Sequence, residues 1–322
     1  MSFASTCNKS VASQHPRVPA GVGVLLNPSM ARLMERSLHH LDFLSVIPDR
    51  AWNDRGVGAI DRFQPLPLSV DFLEEAARQV PVVLHSIGLS ICSADIFDEE
   101  YGRNLIAWAH RLKSPWVSEH LSFSRIGTGH ETNAAVAVPV PYDQEVLELL
   151  VPRVKFFTDV LPCPFLLENN VYYFGYGDED YSEESFLNEL CGRAKCGVLL
   201  DLHNLYTNAL NHKFDAMEYI HGLDLSLVQE VHIAGGVSMF GFHTDSHTGP
   251  VIEGVWRLLE QVVPLATRLR GITFEFHESS YRLLGDNGIL EQVDRARAIV
   301  HKFSPASEPV SYVATSLPAS HC

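Results

Sequence analysis

The sequence is poor in the features that would place it in a membrane, on a secretory route or against a nucleic acid. No run of about 18 consecutive apolar residues occurs, so no membrane-spanning helix is expected. The opening MSFASTCNKSVASQHPRVPAG lacks the apolar core of a signal peptide. Basic residues are scarce: 24 Lys and Arg stand against 39 Asp and Glu, for a net charge of −15. Such a balance repels a phosphate backbone and argues against a nucleic-acid partner. Cysteine is sparse and scattered, at Cys7, Cys92, Cys163, Cys191, Cys196 and Cys322, with no zinc-knuckle spacing. These read as reduced thiols in a cytoplasmic protein. Cys92 has no evident base beside it and reads as a packing residue rather than a nucleophile.

What is present is ample material for a core, with 46% apolar residues in 322. Eight short apolar runs recur along the chain: GVGVLLN (21–27), LDFLSVIP (41–48), VPVVLHSIG (80–88), PWVSEHLSF (115–123), PFLLENN (164–170), CGVLLDLHN (196–204), VQEVHIAGG (228–236) and GITFEFHES (271–279). Amphipathic segments lie between most of them, for example 98–113, 143–161 (with Pro152 an expected kink), 182–194 and 254–269. Near-continuous apolar strands alternating with helices imply a parallel sheet buried on both faces. Eight such units predict a closed (β/α)8 barrel. The alternative, an open doubly wound sheet, normally carries a Gly-rich phosphate turn after its first strand, and LLNPSM is not one. The expected organisation is a flexible lead over 1–19, one barrel domain over 20–303, and a Ser/Pro/Ala-rich tail over 304–322 without a packed element.

The polar residues fall at one place in these repeats. From the third strand onward each apolar run ends in His or an acid: His85; Glu119 and His120; Glu168 and Asn169; Asp201, His203 and Asn204; His232; Glu275, His277 and Glu278. The loop after the seventh adds HTDSHTG, with His243, Asp245 and His247 at alternate positions. Strand C-termini of a barrel meet on one face, so these side chains are expected in one pocket. A charge inside an apolar strand is costly unless paired or metal-bound. Imidazole with carboxylate suits iron, manganese, zinc or cobalt, and the number of candidates exceeds what one tetrahedral ion needs. Two or three ions are therefore expected. Glu119 precedes His120 and faces away from it in a strand, so it reads as a supporting group. His243 reads as an ordinary loop histidine, and His110, His130, His212, His221 and His301 as surface groups.

LHSIGLS, SEHLSFS, FLLENN, LLDLHN, VHIAGG, DSHTGPV and the glutamate of FEFHE occur in this order at these strand ends. Together they resemble the multinuclear non-haem iron-dependent oxidases, relatives of the methanobactin and 3-thiaglutamate biosynthesis oxidases, over about residues 20–300. The resemblance implies a TIM barrel holding two or three irons of mixed ferrous and ferric state. It implies oxidation by dioxygen of residues, often cysteines, in ribosomally made precursor peptides, with a small leader-binding partner protein. Carried over, His85, His120 and Glu168 hold one iron; Glu168, Asp201, His232 and Glu275 surround a second, with Glu168 bridging; Asp245, His247 and Asn204 hold a third. Glu119, Asn169, His203 and His277 are expected to support them. The chain departs from the family pattern at GVGVLLN, at DLHN, where His203 replaces an asparagine, and at the FH after Glu275. These departures imply a divergent subgroup. Two rival readings stand beside this one: a divalent-metal TIM-barrel isomerase or hydrolase, and a non-catalytic peptide-binding subunit.

Overall fold

A computed structural model describes residues 20–126 and 133–303. The lead over 1–19, the tail over 304–322 with Cys322, and His130 lie outside the described residues.

All eight apolar runs form strands: β1 Gly21–Leu25, β2 Phe43–Val46, β3 Val82–Ser86, β4 Val117–His120, β5 Phe165–Glu168, β6 Gly197–Asp201, β7 Val228–Ala234 and β8 Gly271–Glu275. Each pairs in parallel with its sequence neighbour, and β1 pairs with β8 to close the barrel. Residues of β3, β5, β6, β7 and β8 are buried throughout, which is why these strands read as unbroken apolar runs rather than as alternation. Phe43, Val83, Trp116, Leu166 and Leu199 form a separate apolar cluster inside the barrel. Glycine at 23 and 271 makes room for it: a Cβ at either position would come within 3 Å of the Phe43 ring.

The helices follow the strands and turn their apolar stripes inward. The helix Glu99–Leu112 after β3 shows the logic. Tyr101, Leu105, Trp108 and Leu112 recur at helical spacing and are buried, Asp98 caps the first turn by accepting from the Tyr101 N–H at 3.0 Å, and Lys113 closes it in the left-handed conformation. The segment 143–161 forms a helix over Gln144–Thr158 that runs through Pro152. The segment 254–269 is helical only over Glu253–Val262; Val263 keeps helical angles, but Pro264 has no N–H to continue the ladder.

The loops above β2, β3 and β4 are tied by one buried cation. Arg62 forks to both carboxylate oxygens of Asp54 and of Asp98 at 2.7–2.8 Å, and Arg125 reaches Asp98 at 2.7 Å. Burial works to raise the Asp98 carboxyl, but the Arg62 and Tyr101 hydrogen bonds outweigh it and hold it below its ordinary value. Removing Arg62 strands two acids, one of them buried, so Arg62→Met should lower the unfolding free energy in denaturant by about 3 kcal/mol at neutral pH. A depressed carboxylate stabilises above its unfolded value and loses that contribution as acid protonates it. The gap between wild type and Arg62→Met should therefore narrow below about pH 4; a gap that widens in acid would contradict the assignment.

Candidate metal centre

Parallel register brings the strand ends to one level. His120 lies beside Glu168, Asp201 beside His232, and Ala234 beside Glu275. Glu168 is the hub. Its Oε2 is 3.4 Å from His85 Nε2 and 3.3 Å from His120 Nε2, and its Oε1 is 3.9 Å from His232 Nδ1. Glu275 is the second node, 3.1 Å from His232 Nδ1 through Oε1 and 3.4 Å from His247 Nε2 through Oε2. His247 Nε2 and Asp245 Oδ1 approach to 2.8 Å.

Four overlapping triads result, in each of which the donor atoms lie within 4.8 Å of one another: His85, His120, Glu168; His85, His232, Glu275; Glu168, Asp201, His232; and Asp201, His247, Glu275. The atoms are close, yet they do not satisfy one another. Glu168 Oε2, Asp201 Oδ2, His232 Nδ1, Asp245 Oδ1, His247 Nε2 and Glu275 Oε1 are buried without a hydrogen bond of acceptable direction. Buried polar atoms are rarely left this way. Such a gathering of close, unpartnered nitrogen and oxygen atoms could hold metal ions.

The far sides of the imidazoles are tethered. His85 Nδ1 meets Ser118 Oγ at 3.0 Å, His120 Nδ1 meets the Ser86 carbonyl at 3.3 Å, and His232 Nε2 meets Glu230 Oε1 at 3.2 Å. One nitrogen is thus fixed by the protein and the other is free for the centre, the usual support of a ligating histidine. Glu230 is fully buried; its Oε1 also accepts from Thr273 Oγ1 at 2.7 Å, and its Oε2 from Trp116 Nε1 at 2.6 Å. The sequence reading missed Glu230. The signal was there, because it stands two residues before His232 and so shares its face.

Two features of the local backbone place the remaining candidates. Strand alternation carried past Asp201 would put it on one face with His203, but β6 ends at Asp201. Its Oδ1 accepts from the Asn204 N–H at 2.7 Å and caps the helix Leu202–His212. In that first turn Asn204 swings toward Glu168, its Nδ2 3.4 Å from Oε1 and its Oδ1 unpartnered. His203 is fully buried on the other side, its Nε2 3.6 Å from Asp245, and neither ring nitrogen has a hydrogen-bond partner. Burial drives the His203 ring down to about 4. Nor does HTDSHTG stay extended: the strand Phe242–Thr244 ends before Asp245, and His247 has φ 46°. A left-handed turn, not alternation, folds His247 back beside Asp245.

The remaining candidates divide cleanly. Glu119 is buried behind His120, accepts the His120 N–H at 2.9 Å, and is pushed up to about 8 by burial. Asn169 clamps the backbone of Asp201 with both amide atoms, at 2.7 and 3.0 Å. His277 is exposed and bonds Ser279 at 2.8 Å, so its ring is not brought into the cluster; only its backbone N–H reaches the His247 carbonyl. His243 is no solvated loop residue, being 9% exposed with its ring 5.6 Å from His203. His110, His212, His221 and His301 are exposed. Cys92 is buried, and burial pushes its thiol well up, which suits a packing residue.

Without cations the cluster is heavily frustrated. Burial raises Glu168 well above the carboxylate range and Asp201 to about 6. Burial would depress His247 as well, but Asp245 overrides it and lifts the ring to about 10. The donor set, four carboxylates with four buried or half-buried imidazoles and an amide, fits hard-to-borderline metal ions and contains no thiolate.

Among the described residues no helix is long and apolar enough to cross a membrane. Solved structures share the fold at low identity. A D-psicose 3-epimerase of Clostridium cellulolyticum H10, solved with D-tagatose, has a TM-score of 0.53 at 11% identity, covering 88% of this chain and 98% of that one. An IOLI protein with a bound zinc atom has a TM-score of 0.53 at 14% identity, covering 88% and 99%. Sequence relatives are nearer. A UPF0276 protein of Caulobacter vibrioides (strain NA1000 / CB15N) is 34% identical over 244 residues, 74% of this chain and 81% of the relative. A UPF0276 protein of Anaeromyxobacter sp. (strain Fw109-5) is 35% identical over 232 residues, 71% and 79%. Residues 21–300 match a family described as RiPP precursor modification enzyme MbnB/TglH/ChrH, where RiPP denotes a ribosomally synthesised and post-translationally modified peptide, and the chain belongs to that family.

Proposed function

We propose that the chain is an iron- and dioxygen-dependent oxidase that modifies a cysteine of a ribosomally made precursor peptide, delivered by a small leader-binding partner protein. The observation that carries the reading is the convergence of buried, unpartnered nitrogen and oxygen atoms around Glu168 and Glu275. His85, His120 and Glu168 hold one iron. Glu168, Asp201, His232 and Glu275 surround a second. His247 and Asp245 hold a third with Asn204, His247 being near enough to Glu275 to couple the last two. When bound, the irons supply the one-electron and dioxygen chemistry that no protein side chain offers.

The chain's own contribution is placement. Ser118, the Ser86 carbonyl and Glu230 fix the imidazole orientations, and Asn169 holds the end of β6 in register with β5. A cavity of about 540 Å³ opens beside His120, with Trp52, Tyr101 and Arg125 in its wall. The substrate cysteine enters there and reaches the His120 side of the centre. Arg125 is held by Asp98 and presents a cation in the wall.

Elemental analysis with Mössbauer spectroscopy on anaerobically purified protein should find two or three irons per chain. Zinc or manganese in their place would favour an isomerase or hydrolase. Ferrous iron at a hundred times its dissociation constant should raise the unfolding free energy by about 2.7 kcal/mol, and Glu168→Gln should abolish most of that gain.

With a cysteine-containing precursor the iron-loaded protein should consume dioxygen. Glu230→Gln, which touches no metal, should weaken iron binding or turnover about ten- to a hundred-fold by loosening His232. Precursor binding without any dioxygen consumption by the iron-loaded protein would leave only a peptide-binding role.

A further inference from the structure

A second cavity, of about 330 Å³, lies between the segment after β5 and the helix Ala216–Gly222. Its wall holds four tyrosines and several acids and no lysine or arginine. Two buried groups in it lack the partner their chemistry asks for. Glu183 is 6% exposed, and its carboxylate is met by the Tyr142 hydroxyl at 2.8 Å but by no cation. Tyr219 is 5% exposed, and its hydroxyl has no hydrogen-bond partner. At the mouth Phe174 and Tyr176 stand edge to face with centroids 5.7 Å apart, both about half exposed. Glu179 and Glu218 add exposed charge beside them.

We propose that this cavity binds a cationic side chain, arginine or lysine, of the substrate peptide. The chemistry matches on each count. A guanidinium or ammonium group supplies the donors that Glu183 and the Tyr219 oxygen can accept. Its apolar stem lies against Phe174 and Tyr176, whose ring faces attract the charge. The net charge of −15 favours a basic ligand over an acidic one. The same segment also reaches the metal centre: Tyr172 lines the cavity, and the next residue, Tyr173, has its hydroxyl 3.1 Å from the Asp245 N–H. A peptide anchored here by a basic residue would therefore lie along the rim that leads to the irons. The inference rests on the reading that the substrate is a precursor peptide; it does not depend on which metal is bound or on the oxidation.

The test is binding to chelator-treated, metal-free protein, so that it stands apart from redox activity. Acetyl-Gly-Arg-Gly-amide, acetyl-Gly-norleucine-Gly-amide and acetyl-Gly-Glu-Gly-amide are titrated by saturation-transfer NMR. The arginine peptide should bind saturably and at least about ten-fold more tightly than the other two. Glu183→Gln should weaken it about ten-fold, and the double variant Glu179→Gln/Glu218→Gln, whose changes are exposed and tolerable to the fold, should weaken it measurably. If Glu183→Gln does not fold, the double variant decides. Equal binding of the norleucine or glutamate peptide, or arginine binding unchanged in the folded variants, overturns the proposal. Protein that holds iron and consumes dioxygen but ignores arginine overturns this inference alone; protein that binds arginine but never iron overturns the oxidase reading alone.

Discussion

The carboxylate of Glu168 organises the molecule's business end. It is buried to 2% exposure and faces three imidazoles, each brought from a different strand. No local structure could do this, because the partners are separated by long stretches of helix. Closure of eight parallel strands is what makes the ends of β3, β4, β5 and β7 neighbours, and once the barrel closes their side chains have nowhere else to go. The apolar floor of Phe43, Val83, Trp116, Leu166 and Leu199 lies within the same barrel. Fold and site are thus two consequences of one register: residues at or near the ends of β3 to β8 gather in the cluster, and interior residues before them form the floor.

The strand-ending residues were legible because they break a rule. An apolar run buried on both faces has no use for His or Asp unless something outside the strand compensates the cost. Glu119 was also legible, since period two sends it to the far side of β4 from His120, and it lies there. Less legible was anything that depends on where a strand stops. The side chain of Asp201 captures the Asn204 N–H and starts a helix, which overrides the alternation continued through LHN. Asp201, His203 and Asn204 consequently spread to three directions instead of two. His247 escaped for a similar reason: its left-handed φ belongs to the turn THTG and cannot be read from spacing. Glu230 escaped for a different one. It sits mid-strand, where an acid was not looked for, and besides His232 its partners are Trp116, just before β4, and Thr273 of β8.

His203 is where this chain departs from the family pattern at the centre itself. A buried imidazole with both nitrogens unpartnered, 3.6 Å from Asp245 and flanked by His243 and His247, makes that lobe richer in nitrogen than an asparagine would. The lobe around Glu168 instead gathers the imidazoles of His85, His120 and His232, with Asp201 as its second carboxylate. The two ends of the cluster are therefore not equivalent, and Glu275, which touches His232 on one side and His247 on the other, is the group that joins them.

The cluster also shows why this barrel cannot be understood as a structure optimised for stability alone. Burial pushes Glu168 and Asp201 upward and His85 and His203 downward, while neighbouring acids lift His247 to about 10, so the same pocket disfavours charge on some of its members and holds it on others. Dications held there as proposed would neutralise the acids and occupy the lone pairs of the histidines at once. The tethers from Ser118, Ser86 and Glu230 hold the imidazoles apart from the hydrogen bonds they could otherwise have made with the carboxylates. Metal ions bound as proposed would take up the atoms that the tethers leave unpartnered.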